Sequence, residues 1–180
     1  MTSQRPPLTR SNCPGTPRAM SSATMSPLPR LRFITSRSRS RYVLTICTYR
    51  RSRTFENPYI VGRTLGEFLR LASAQHIAVL AYCFMPDHVH LLVEGVDAGS
   101  ERRVFVNLSK ERSGYLYRQM SGQVLWQDGY HERLLRDSDD PRKMARYLLE
   151  NPVRAGIVRH PIQYPHLGSA VWSVKEILGA

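Results

Sequence analysis

Two histidines, one residue apart, stand directly behind a tight turn in MPDHVHLLVEG, residues 85–95. Side chains alternate across a strand, so His88 and His90 share one face while Val89, Leu91 and Val93 share the other. The apolar face is complete without the histidines. Two imidazoles projecting side by side are a geometry for two ligands of one divalent ion. The same spacing describes two polar residues on a solvated sheet face, and an HxH pair alone does not separate the two readings.

A second group lies in ARYLLENPVRAGIV, residues 145–158. Tyr147 and Asn151 are four apart, so a helix places them on one face together with Lys143. Asparagine offers a neutral carbonyl oxygen that a hard cation accepts, and tyrosine offers a hydroxyl. The plain alternative is a boundary aromatic half-packed on a sheet, followed by a helix-end residue before Pro152.

The elements that hold these groups follow from period and punctuation. RYVLTICTY, 41–49, is β-branched and aromatic, as strands are. After the loop RRSRTFENP, residues Val61, Leu65, Phe68, Leu69 and Ala72 recur at helical spacing. IAVLAYCFM, 77–85, reads as a second strand, Pro86-Asp87 as a short turn and HVHLLVE, 88–94, as a third strand. A helix over roughly 101–120 carries Val104, Leu108, Tyr115 and Leu116 on one stripe and stops at Gly122. YHERLLR, 130–136, is a fourth strand. DSDDP caps a third helix with Pro141 in its first turn, and Pro152 disfavours continued helix at Asn151. The order β-α-β-β-α-β-α predicts an α+β, ferredoxin-like β-α-β-β-α-β core. A four-stranded antiparallel sheet with helices on one face is expected, plus a C-terminal helix carrying Tyr147. Three segments are expected: a disordered basic tail at 1–38, one domain at 39–165 and an extension at 166–180.

The net charge is +12, and its distribution is uneven. Residues 1–41 hold eight arginines and no acid, which leaves 18 basic and 14 acidic residues over 42–180. A strongly basic tail on a mildly basic body suits a polyanion such as nucleic acid, and suits a solvated floppy end equally well. No apolar run is long enough for a transmembrane helix, and no apolar h-region marks a secretory signal. Cys13, Cys47 and Cys83 lack CxxC spacing and read as free thiols in a reducing cytosol, which excludes a zinc ribbon.

AYCFMPDHVHLLVEG, LWQDGYHERLLRD and ARYLLENPVRAGIV, in that order and spacing over 41–158, resemble the REP-associated tyrosine transposases. These are single-tyrosine HUH transposases of bacterial insertion sequences, U being a hydrophobic residue. The resemblance implies that His88 and His90 are the metal-binding pair, with Val89 between them. It implies that Tyr147 is the nucleophile. Asn151 falls where related enzymes carry a glutamine that helps to hold the metal, so its shorter amide is a candidate third ligand. The implied reaction is cleavage and rejoining of single-stranded DNA hairpins through a 5′-phosphotyrosine link, in a bacterial, cytoplasmic and nucleoid-associated monomer or homodimer. Mg²⁺ or Mn²⁺ is the implied cofactor, with Mn²⁺ tolerating imidazole better.

Other residues compete for these roles. Tyr130, Tyr115 and Tyr117 are alternative nucleophiles, though none lies where the resemblance places the nucleophile. His131 is a ligand, a phosphate contact or a solvated strand residue. Lys110, Arg112, Arg133, Arg136, Arg142, Lys143 and Arg154 are candidate DNA contacts, each also readable as a solvated charge. Two further readings stand beside the enzyme. One is a hairpin-binding regulator of the same fold without catalysis. The other is an RNA-recognition module, which would want aromatics where strand three carries histidines. A cyclic phosphodiesterase would need two HxT or HxS motifs, and a single HxH is present.

Overall fold

The computed structural model describes residues 40–179; the arginine-rich segment 1–38 lies outside them. Five strands and five helices follow in the order β1 (Arg41–Cys47), α1 (Pro58–Ala74), β2 (Ile77–Met85), β3 (His88–Gly95), α2 (Arg102–Ser121), β4 (His131–Leu134), α3 (Pro141–Leu149), α4 (Asn151–Arg154), β5 (Leu167–Gly168) and α5 (Val174–Leu178). The strands form one antiparallel sheet in the order β4-β1-β3-β2-β5.

The caps are those the sequence signals. Asn57 accepts the Tyr59 N–H at the start of α1, and Asp140 accepts the Arg142 and Lys143 N–H groups at the start of α3, each followed by proline. Gly122 closes α2 in the left-handed conformation. Strand one ends at Cys47 rather than at residue 49. Thr48 bridges to Trp126 instead, and Tyr49–Arg51 form a 3₁₀ turn.

Two features of the sheet differ from the sequence expectation. The sheet has five strands, not four. The fifth is only two residues, Leu167–Gly168, paired with Tyr82 and Cys83 of β2. It carries no strand pattern, and it exists because Gly168 presents no side chain to Tyr82. A Cβ at Gly168 would lie 2.5 Å from the Tyr82 hydroxyl. The segment 166–179, set apart above as an extension, thus supplies a strand and the buried Ile177 and Leu178 of α5.

Helices also cover both faces of the sheet, not one. On the first face, Leu44, Ile46, Val89, Leu91 and Val93 pack against Phe68 and Leu71 of α1 and Phe105 and Val106 of α2. On the second, Ala81, Cys83, Met85 and Leu92 pack against Ala145, Leu148 and Leu149 of α3 and Ile177 and Leu178 of α5. The reason lies in β2. Its run IAVLAYCFM is apolar on both sides, as a strand buried on both faces must be. A bulge between Val79 and Ala81 turns Leu80 and Ala81 together toward the second face. The open sheet surface that an RNA-recognition module uses for base stacking is therefore covered here by α3 and α5.

Candidate active site

The histidine pair sits at the start of β3, and the chain before α1 fixes the turn that leads into it. Buried Thr48 donates its backbone N–H to the Asp87 carbonyl at 3.0 Å, and Phe55 donates its N–H to the Pro86 carbonyl at 3.0 Å. The Phe55 ring stands edge-on to Phe84, 5.0 Å between centroids. Arg50 and Arg51 adopt left-handed backbone, with φ of 53° and 56°. Such a conformation is strained for residues other than glycine and is sustained only by its surroundings. It carries Arg51 to Asp87, where Nε lies 2.9 Å from Oδ2.

Each imidazole is held through its Nδ1. His88 Nδ1 donates to Asp87 Oδ1 at 2.6 Å, and His90 Nδ1 lies 2.9 Å from the Thr45 hydroxyl. The two Nε2 atoms then face one another across 3.0 Å, with the rings nearly perpendicular at 86°. Burial, then the charges of His88, Arg154 and Arg51, push the His90 pKa down to about 4, so its imidazole is neutral near pH 7. The Asp87 carboxylate on His88 Nδ1 fixes the tautomer that leaves a lone pair on its Nε2. Asp87, Arg51 and Thr45 were not singled out in the sequence. The signal for Asp87 was its place next to His88; Thr45 becomes visible only through the β1–β3 register that sets it opposite His90.

The same register builds a row across the sheet. His131 of β4 pairs with Thr45, Thr45 with His90, and His90 with Cys83. Paired residues share a face, so His131, and Arg133 two positions on, lie on the histidine side of the sheet. Burial raises the Cys83 thiol to about 12, which leaves it a neutral, inert wall of the site. Among the described residues, no group of three His, Cys, Asp or Glu side chains is placed to hold a metal.

Helix α3 lies over this face, packed on β2 and β3. Its buried side is Ala145, Leu148 and Leu149, and Tyr147 on its flank is 57% exposed. Tyr164 belongs to the same layer but is spent structurally. It is buried, its hydroxyl donates to the Phe84 carbonyl at 2.6 Å, and burial raises its phenol to about 12. The competing Tyr115 and Tyr117 lie on α2, behind the sheet, and Tyr130 packs against the first core. Glu150 ends α3, and Asn151 opens the short α4, with Pro152 in its first turn. The Asn151 amide nitrogen donates to the Leu148 carbonyl at 3.0 Å, and its Oδ1 accepts from Arg154 at 2.8 Å.

The candidate cations scatter. Arg133 lies 3.9 Å from Asp139, and the Arg136 backbone N–H donates to the same carboxylate. Arg142 lies over the Trp172 ring at 5.2 Å, and Lys143 is exposed on α3. Arg154 lies over Tyr147. Lys110 and Arg112 are on α2, on the far side of the sheet from the histidines. The Lys110 ammonium donates to the Gln127 and Gly129 carbonyls at 2.9 and 2.6 Å, so it braces the chain before β4. None of the described helices is long and apolar enough to cross a membrane.

A five-stranded antiparallel sheet is covered on both faces, with an HxH pair on the face that the tyrosine-bearing helix α3 packs against. The profile of the family described as "Transposase IS200 like" matches residues 36–151. That span is well over half of the chain and includes His88, His90, Tyr147 and Asn151, and the chain belongs to this transposase family. It is an enzyme of DNA transposition. A curated Haemophilus influenzae protein named as a REP-associated tyrosine transposase is 27% identical over 139 residues, 69% of this chain and 77% of that one. A solved REP-associated tyrosine transposase bound to a REP hairpin shares the fold, with TM-score 0.60 at 18% identity over 73% of this chain and 79% of its own. A transposase structure from Deinococcus radiodurans gives a TM-score of 0.48 at 22% identity, covering 65% of this chain and 93% of that one.

Proposed function

We propose that this transposase cleaves and rejoins single-stranded DNA at hairpins of the repetitive extragenic palindrome type, with Tyr147 as nucleophile. The observation that carries the reading is the placement of α3. The helix packs on the sheet face from which His88 and His90 project, and it carries an exposed tyrosine on its flank. The hairpin as substrate rests on likeness to the relative whose structure is bound to one.

His88 and His90 fit a divalent ion, Mg²⁺ or Mn²⁺. Two ligands at right angles, about 2.1 Å from one ion, stand about 3.0 Å apart. The two Nε2 atoms have that separation, with their Nδ1 partners already engaged. The Asn151 carbonyl oxygen is the candidate third ligand, shared with Arg154. Such an ion, when bound, neutralises non-bridging phosphate oxygens and holds the scissile bond in line. Imidazole ligands favour Mn²⁺ over Mg²⁺.

The chain's own step is transesterification at phosphorus. The Tyr147 oxygen bonds to the scissile phosphorus, and the bond from phosphorus to the 3′ oxygen breaks. The 5′-phosphate stays on the tyrosine, the phenolic proton passes to solvent, and the 3′ oxygen leaves as a hydroxyl. A second 3′-hydroxyl reverses the step and reseals the strand, so the bond energy is conserved and no ATP is needed. Arg133, Arg142, Lys143 and Arg154, near that face, would contact phosphates and set affinity and salt dependence. Arg136 would join them on strand passing the β4–α3 connection, whereas Lys110 and Arg112 would meet only DNA that reaches behind the sheet.

The test is incubation with a hairpin-bearing single strand and Mn²⁺. The wild type should form a covalent protein–DNA adduct. His88→Ala and His90→Ala should lose it while retaining hairpin binding. Normal cleavage by both variants contradicts the metal role, and hairpin binding by a wild type that forms no adduct assigns a binding regulator instead.

A further inference from the structure

One side chain joins Tyr147 to Asn151. Arg154 stands on α4, three residues beyond the last one matched by the family profile. Its guanidinium carbon lies 3.8 Å from the centroid of the Tyr147 ring. Its Nη2 donates to the Tyr147 carbonyl and, at 2.8 Å, to Asn151 Oδ1. Its Nη1 lies 3.5 Å from Glu150 Oε2.

The arrangement meets a need of the site. An exposed tyrosine on a helix flank samples several rotamers, and a nucleophile that wanders by about an ångström can lose about 100-fold in rate. A cation on the ring face and a fork to the backbone hold the phenol in one place. A guanidinium carries five N–H donors, and the contacts named above leave some of them for another acceptor. We propose that Arg154 is the positioning residue of the nucleophile: it fixes the Tyr147 ring and the Asn151 amide against one another and offers its remaining donors to the phosphate under attack. This assignment rests on the cleavage reading above.

Lysine at this position keeps the charge and loses the planar fork. The experiment compares wild type, Arg154→Lys and Arg146→Gln on a single strand with an imperfect hairpin and four-nucleotide flanks, in Mn²⁺. Arg146 pairs with Glu150, as Arg154 does, and is not among the contacts of Tyr147, so it controls for disturbance of the Glu150 carboxylate. Adduct formation is followed at saturating DNA, and Kd and Tm are measured beside it. Arg154→Lys should keep Kd and Tm near wild type and slow adduct formation by roughly tenfold to a hundredfold, while Arg146→Gln stays near wild type. A second readout needs no activity. With labelled tyrosine, the Tyr147 ring resonances of the DNA-free protein should move on Arg154→Lys and stay put on Arg146→Gln. Equal adduct rates for wild type and Arg154→Lys overturn the proposal alone. A loss of adduct that only tracks a fall in Tm or DNA affinity also overturns it. A wild type that forms no adduct overturns the cleavage reading and the proposal together.

Discussion

His88 Nε2 and His90 Nε2 stand 3.0 Å apart, and neither histidine is free to turn away. Asp87 grips one ring and Thr45 the other. Thr48 and Phe55 in turn bind the backbone of the turn that delivers them. The pair is thus pre-organised by four residues outside the motif itself.

Asp87→Asn should weaken Mn²⁺ binding by roughly 10–100-fold, because the carboxylate fixes the His88 tautomer and ring orientation. Titration of the DNA-free protein by Mn²⁺ electron paramagnetic resonance reads this directly. Unchanged affinity would mean that His88 is not a ligand or does not depend on Asp87.

The metal-free protein should lose stability as pH falls from about 6.5 toward 4. The folded pKa of His90 is lowered from its ordinary 6.5 to about 4, chiefly by burial. In that window the unfolded chain binds the proton and the folded chain resists it, so acid favours unfolding. Above about 6.5 both states are neutral and the penalty is absent. Melting temperatures of wild type and His90→Gln across this range give the difference. A wild-type curve no steeper than the variant's would contradict the burial of His90.

Gly168→Ala should destabilise the fold by about 1–3 kcal/mol, the cost of forcing extra atoms into a filled space. The added Cβ meets the Tyr82 ring and hydroxyl at 2.5–3.1 Å. Denaturant unfolding measures it, and an unchanged midpoint would show that β5 does not need the glycine.

Much of the architecture was legible because caps and periods were strong. Asp140, Pro141 and Gly122 mark the helix ends where the sequence sets them. The second helical layer is masked in the sequence by β3, where His88 and His90 make one face look polar. Leu92 on that face and the unbroken apolar run of β2 were the contrary signal. The strand at Leu167–Gly168 has no signal at all, since two residues carry no period. The residues that orient the histidines come from register and from the strained backbone at Arg50 and Arg51, and neither is written in local propensity. The sequence marks Arg154 only as one of several candidate DNA contacts, because nothing in spacing alone sets a guanidinium on a tyrosine ring.

The most direct measurement is the identity of the DNA-linked residue. A hairpin-bearing single strand is incubated with the protein in Mn²⁺, and the adduct is digested and sequenced by mass spectrometry. The phosphonucleotide should sit on Tyr147. Tyr147→Phe removes one oxygen from an exposed side chain, so folding and hairpin binding should persist while adduct and strand cleavage vanish together. The same substitution at Tyr115, Tyr117 or Tyr130 should leave the adduct in place. A phosphonucleotide on any other residue, or an adduct that survives Tyr147→Phe, would contradict the assignment.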